Sequence, residues 1–286
     1  MVWWLLGASA LVLLWWGCGS TRAILAPAPF DLTPPNPLPP FTAAPLTARD
    51  GAPFDVWVLA PPAARGRLLL FHGYYANRYQ VLSVAHGLRE RGYEVMLIEL
   101  RGHGSRPPPC TLGARESDDA EVALAWAAAQ RSPSRLPLGV LGLSMGGVVA
   151  CRVAARHPEV RAVVLDSVYA RFYPVLAQAI WRERHLPPVP CAWVTWLGLS
   201  LALGRRLGRL DPCVLAPRLT QPLLAIQGGA DRRVSLAAFE AWYGRWAGPK
   251  ERWVEPDVAH IGMYSRHPAQ YLERVGGFLD RRLRSA

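Results

Sequence analysis

Three side chains far apart in the chain could together attack a carbonyl carbon: Ser144, Asp231 and His260. A serine hydroxyl is a poor nucleophile at neutral pH unless a base lies in hydrogen-bond reach. An imidazole oriented by a carboxylate is a recurring solution. Ser144 sits in Gly142-Leu143-Ser144-Met145-Gly146-Gly147. A short apolar run ends at Leu143, and a helical pattern begins at Met145. The serine therefore falls on a sharp strand-to-helix turn. Such a turn crowds the backbone, so small residues are needed two positions to either side, and Gly142 and Gly146 supply them. The first amides of the following helix lack intrahelical acceptors and would face a developing negative charge. The motif alone also fits a glycine-rich turn around an inert serine, so the surrounding elements must decide.

Apolar or alternating runs occupy residues 54–59, 67–71, 94–100, 138–143, 161–165, 223–227 and 252–254. Helical patterns fill most gaps, at 78–91, 117–131, 145–156 and 236–246, and a long one at 268–283 ends the chain. This alternation predicts an α/β fold, a mostly parallel central sheet flanked by helices. Reactive groups in such sheets lie beyond the carboxyl ends of the strands. Ser144 meets that condition. So does Asp231, in the Gly228-Gly229-Ala230-Asp231 loop after residues 223–227. So does His260, which closes Glu255-Pro256-Asp257-Val258-Ala259-His260 after the last run. Asp166 also follows a strand and is a second candidate for the acid. His72-Gly73-Tyr74 follows residues 67–71, where a backbone amide could face the serine. His103, in Arg101-Gly102-His103-Gly104-Ser105, reads as structural, and Arg78 as a candidate substrate contact.

Together these motifs resemble the α/β-hydrolase superfamily, in its esterase and serine-aminopeptidase-like branch with a helical lid. The resemblance spans about residues 50–286. Gln227 and Ala259 depart from it, where that branch commonly has a histidine and a glycine. The resemblance implies a serine hydrolase that cleaves a carboxylic ester through an acyl-enzyme. Ser144 would be the nucleophile, His260 the base and Asp231 the acid, with the Tyr74 and Met145 amides as the oxyanion hole. No metal or organic cofactor is needed. A lid at about residues 168–213, rich in Phe172, Tyr173, Trp181, Trp193 and Trp196, implies a hydrophobic or lipid-like ester substrate. A peptidase or thioesterase of the same fold, and a non-catalytic binding protein, are the alternatives. The peptidase needs a carboxylate for the substrate amine, and Glu183, between Arg182 and Arg184, is the candidate.

Composition narrows the partners. The chain has 286 residues and a formal net charge of +11. Its arginines are scattered and not interleaved with aromatics, so no nucleic-acid partner is expected. Cys191 and Cys213 bracket one segment and could pair in an oxidising compartment. Residues 1–20 read as a membrane anchor or signal segment. Residues 2–19 carry no charge, and tryptophan pairs stand near both ends. The expected localisation is therefore membrane, through one N-terminal anchor. A proline-rich linker is expected at 21–48 and the α/β-hydrolase domain at 49–286.

Overall fold

Runs with no polar face pair with one another because none can be left in water. The computed structural model describes residues 2–28, 30, 32–34, 37–129 and 136–283. Helix α1 (Val2–Leu25) precedes strands β1 (Thr42–Thr47), β2 (Pro53–Leu59) and β3 (Gly66–Phe71). Helix α2 (Tyr79–Glu90) leads to β4 (Tyr93–Ile98), and α3 (Ala114–Ala129) leads to β5 (Leu138–Leu143). Helix α4 (Met145–Arg156) leads to β6 (Val160–Asp166). A helical insert, α5 (Phe172–Arg184), α6 (Pro188–Ala202) and α7 (Pro212–Leu215), comes before β7 (Leu223–Gly228). Helix α8 (Leu236–Tyr243), β8 (Lys250–Glu255), α9 (Met263–Arg266) and α10 (Pro268–Arg282) complete the order.

The strands form one sheet in the order β1-β2-β4-β3-β5-β6-β7-β8. From β4 to β8 neighbouring strands run parallel, while β1 and β2 pair antiparallel at one edge. Successive side chains along a strand point to opposite faces, so each central strand feeds two cores. Leu69, Phe71, Val140, Val163 and Leu165 meet α3 and α4 on one face. Leu68, Leu70, Leu141, Val164 and Ile226 meet α2 and α10 on the other. The site is therefore held on a frame covered on both sides.

Two features differ from the sequence expectation. Residues 42–47, placed in the linker, form the edge strand β1. Its only strongly buried position is Ala44, so the alternation signal is weak. The second difference is a correction. Among the described residues no helix is long and apolar enough to cross a membrane. The expected transmembrane anchor, membrane localisation and membrane partner are therefore withdrawn. The second half of α1 instead lies against α6. A Cβ on Gly17 would strike the Val194 side chain, and one on Gly198 would overlap Thr21 Oγ1. The Ser20 and Thr195 hydroxyls are 2.6 Å apart, and Thr21 is buried. A small-residue face that looks apolar in sequence is used here for close helix contact. All five cysteines are free thiols, so Cys191 and Cys213 do not pair.

The Ser144 turn depends on the frame. A Cβ on Gly146 would overlap the carbonyl oxygen of Phe71, at the end of β3. Gly146→Ala should destabilise the protein by about 2–3 kcal/mol, because backbone rather than a movable side chain opposes the new atom. Urea unfolding of both proteins measures it; an unchanged midpoint would refute the packing argument.

Candidate active site

Helix α4 begins directly after Ser144, which has φ 50° and ψ −114°. That is positive-φ backbone, strained for a serine. The Ser144 amide donates to the Asp166 carbonyl at 2.9 Å, which ties the turn to β6. A Cβ on Gly142 would overlap the Gly146 carbonyl oxygen. Glycine is thus required on both sides, as the spacing predicts.

The chain brings Ser144, His260 and Asp231 together. His260 Nε2 lies 3.1 Å from Ser144 Oγ. His260 Nδ1 lies 2.7 Å from Asp231 Oδ2. The Asp231 carboxylate accepts further hydrogen bonds. The Arg233 and Val234 amides donate to Oδ1 at 2.8 and 2.9 Å, and Gln227 Nε2 donates to Oδ2 at 3.0 Å. Burial alone would raise its pKa, but the His260 partner and the two amides outweigh burial and hold it below the ordinary value. An acceptor-only carboxylate facing Nδ1 fixes the tautomer in which Nε2 faces the serine. The arrangement can take a proton from Ser144 Oγ and return it to a leaving group.

The Met145 amide opens α4 and has no intrahelical acceptor. Among the described residues, neither it nor the Tyr74 amide has a protein acceptor. A cavity of about 440 Å³ opens over Ser144 and His260. Its walls include Leu143, Val234 and Ile261 from the sheet end, and Phe172, Val175 and Leu176 from α5. The lining is mostly apolar.

Comparison with known proteins agrees with this geometry. A family model for serine aminopeptidases of the S33 group matches residues 62–195. An uncharacterized Bacillus subtilis protein, YqkD, is 26% identical over 225 residues, covering 78% of this chain and 73% of its own. A pimeloyl-[acyl-carrier protein] methyl ester esterase of Neisseria meningitidis is 35% identical over 111 residues, covering 38% of this chain and 40% of its own. The esterase Pf2001 of Pyrococcus furiosus superposes with a TM-score of 0.73 at 22% identity, covering 89% of this chain and 98% of that one.

The chain has the α/β-hydrolase fold. Of the residues singled out in the sequence around this site, Arg78 has a different role from the one expected. Arg78 is not free for a substrate: it makes two 2.7 Å hydrogen bonds to Asp55 and one of 3.0 Å to Glu99. His103 is buried against Tyr74 and His72, and burial pushes its pKa down to about 4, so it is a neutral packing residue. Asp166 does not take the place of Asp231 beside the His260 ring. Its carboxyl accepts from Ser167 Oγ at 2.9 Å.

Two supporting residues were not found from sequence. Gln227 is fully buried, and its amide reaches Asp231, the Gly228 carbonyl and the Val234 carbonyl, so it fixes the acid loop. Its signal was a polar residue ending an otherwise apolar strand. Ser167 Oγ accepts from the Ile261 amide at 3.0 Å, and so ties the His260 loop to β6. It left no signal, because its partner lies in another loop.

Burial raises the Asp166 carboxyl from 3.8 to about 6, against the lowering effect of Ser167. A carboxyl raised on folding favours the folded state while protonated. Its contribution is complete below about pH 4 and is lost as pH rises towards 6. Asp211 shifts in the same direction at a separate place, at the start of α7. Asp166→Asn should therefore reduce, but not abolish, the fall in stability between about pH 4 and 6. Thermal melts of both proteins across that window test this; equal slopes would exclude Asp166 as the titrating group.

Proposed function

We propose that this protein is a serine hydrolase that cleaves a carboxylic ester with a hydrophobic acyl group. The observation behind the reading is the unbroken chain Ser144 Oγ, His260, Asp231, at 3.1 and 2.7 Å, at the floor of a mostly apolar cavity. Ser144 Oγ attacks the ester carbonyl carbon while its proton passes to His260 Nε2. The Tyr74 and Met145 amides stabilise the oxyanion of the tetrahedral intermediate; losing one such donor typically costs about 3 kcal/mol. The carbon–oxygen bond to the alcohol then breaks, and the alcohol leaves with the proton from His260. Water attacks the acyl-serine, again giving its proton to His260, and collapse of the second intermediate releases the acid and restores the serine. Asp231 keeps the imidazole oriented and stabilises its charged form. No step needs a metal or organic cofactor.

The esterase names of the Neisseria and Pyrococcus relatives support an ester substrate. The aminopeptidase family name raises the amide alternative. That reaction wants a free carboxylate for the substrate ammonium. Glu183 lines the cavity, but Arg233 stands 3.6 Å from it. The ester reading is therefore preferred.

A fluorophosphonate probe should label the wild-type protein and not Ser144→Ala. On p-nitrophenyl esters, Ser144→Ala should lower kcat about 10⁶-fold, and Asp231→Asn about 10⁴-fold. Aminoacyl p-nitroanilides should be poor substrates. Folded wild-type protein that is neither labelled nor active would refute the reading; faster turnover of the anilides would replace it with the peptidase.

A further inference from the structure

We propose that Ile24 and Leu25, at the end of α1, and Phe30, after it, form a strap and are part of the substrate site. They build one wall of the acyl cavity and hold the Tyr74-Tyr75 turn in place for oxyanion binding. The inference rests on the ester-hydrolase reading and adds to it a specificity element distant in sequence from Ser144.

The observations come from both ends of the strap. Ile24 and Phe30 line the same cavity as Ser144 and His260. Tyr74 Oη donates to the Ile24 carbonyl at 2.8 Å. The Cys110 amide donates to the Leu25 carbonyl at 2.7 Å, and the Phe30 amide to the Tyr75 carbonyl at 2.7 Å. The Phe30 and Tyr75 rings lie 5.7 Å apart. Burial raises the Tyr74 phenol far above its ordinary value, so it stays a donor over any working pH.

This turn needs outside support. Tyr75 has φ 65°, a strained backbone for an aromatic residue. Tyr74 and Tyr75 are also the residues through which the strap meets the turn that supplies an oxyanion donor. The hydrogen bond from the Tyr74 side chain therefore constrains the direction of its own amide. Upstream, α1 is fixed to α6 through the Ser20–Thr195 pair and the close approach at Gly17 and Gly198. The segment thus spans from the helical insert to the oxyanion turn.

Phe30 defines the occupant. The residue lines the cavity, is 61% exposed, and stands beside Tyr75. An apolar ring left to water at the edge of an apolar cavity gains by covering a hydrocarbon chain. The strap wall therefore takes the part of a longer acyl chain that extends past the catalytic centre. Short acyl groups do not reach it.

The experiment uses the full chain and p-nitrophenyl acetate, butyrate and octanoate, with fluorophosphonate titration of active sites and Tm for each variant. Tyr74→Phe removes only the hydroxyl. It should lower kcat about three- to tenfold on all three esters with little change in KM, the loss expected for one positioning hydrogen bond. Phe30→Ala should raise KM for octanoate relative to acetate by about three- to tenfold, and Phe30→Leu should recover most of that preference. A kcat loss or a chain-length shift in protein with wild-type Tm and titratable serine supports the inference. Wild-type hydrolysis of the esters with both variants within about twofold of it in kcat and chain-length profile overturns the strap while leaving the hydrolase reading intact. Inactive, unlabelled wild-type protein overturns the hydrolase reading itself. Should Tyr74→Phe fail to fold, the Phe30 variants decide alone: a chain-length shift supports the strap, and its absence overturns it.

Discussion

A single crowded turn constrains the rest of the molecule. Ser144 is forced into positive-φ backbone between a buried strand and a buried helix. The turn is possible only because Gly142 and Gly146 have no side chains where the Gly146 and Phe71 carbonyl oxygens pass. The strain is held by the Ser144 amide bond to β6 and by close packing, since a Cβ on Gly147 would overlap Val168. Stored backbone strain of this kind persists only where the surroundings over-determine it. The two-sided core of the sheet provides that rigidity.

Around the turn, charge is neutralised locally. Asp231 is surrounded by donors, so its buried negative charge is compensated and remains available to His260. Arg78, four residues after Tyr74, bridges Asp55 and Glu99. Arg101 joins Asp119 and Asp50, with Arg106 adding a further bond to Asp119. Breaking one member of such a buried pair would leave an uncompensated charge, which is far more damaging than the pair is stabilising. These networks explain why several charged residues near the site have no direct chemical role.

The first helix shows how an apolar segment can mislead. An uncharged run bounded by tryptophans reads as a membrane span. Its described part uses Gly17, Ser20 and Thr21 to approach α6 instead, and its carboxyl end reaches Tyr74. Helix α6 is itself apolar on several sides, with Trp193 and Leu201 exposed. Hydropathy reports how unfavourable water is for a segment. It does not report which partner relieves that, because the partner is more than a hundred residues away in the sequence.

The sequence by itself determined the alternation of strands and helices from β2 onward, the nucleophile turn, and the serine and histidine that meet there. Those features are local: apolar runs have periodicity, a tight turn demands glycine, and loops after parallel strands open on one edge. The bounds of α4 agree residue for residue because a glycine-rich turn begins it and a histidine ends it. Tertiary structure alone decided which acid faces His260, since Asp166 and Asp231 both follow strands and only loop geometry separates them. It alone gave Gln227 and Ser167 their supporting roles, buried Arg78 between two carboxylates, and brought Ile24 and Phe30 to the cavity. Each of these depends on contacts between distant segments, and such contacts leave no period or spacing in the chain to read.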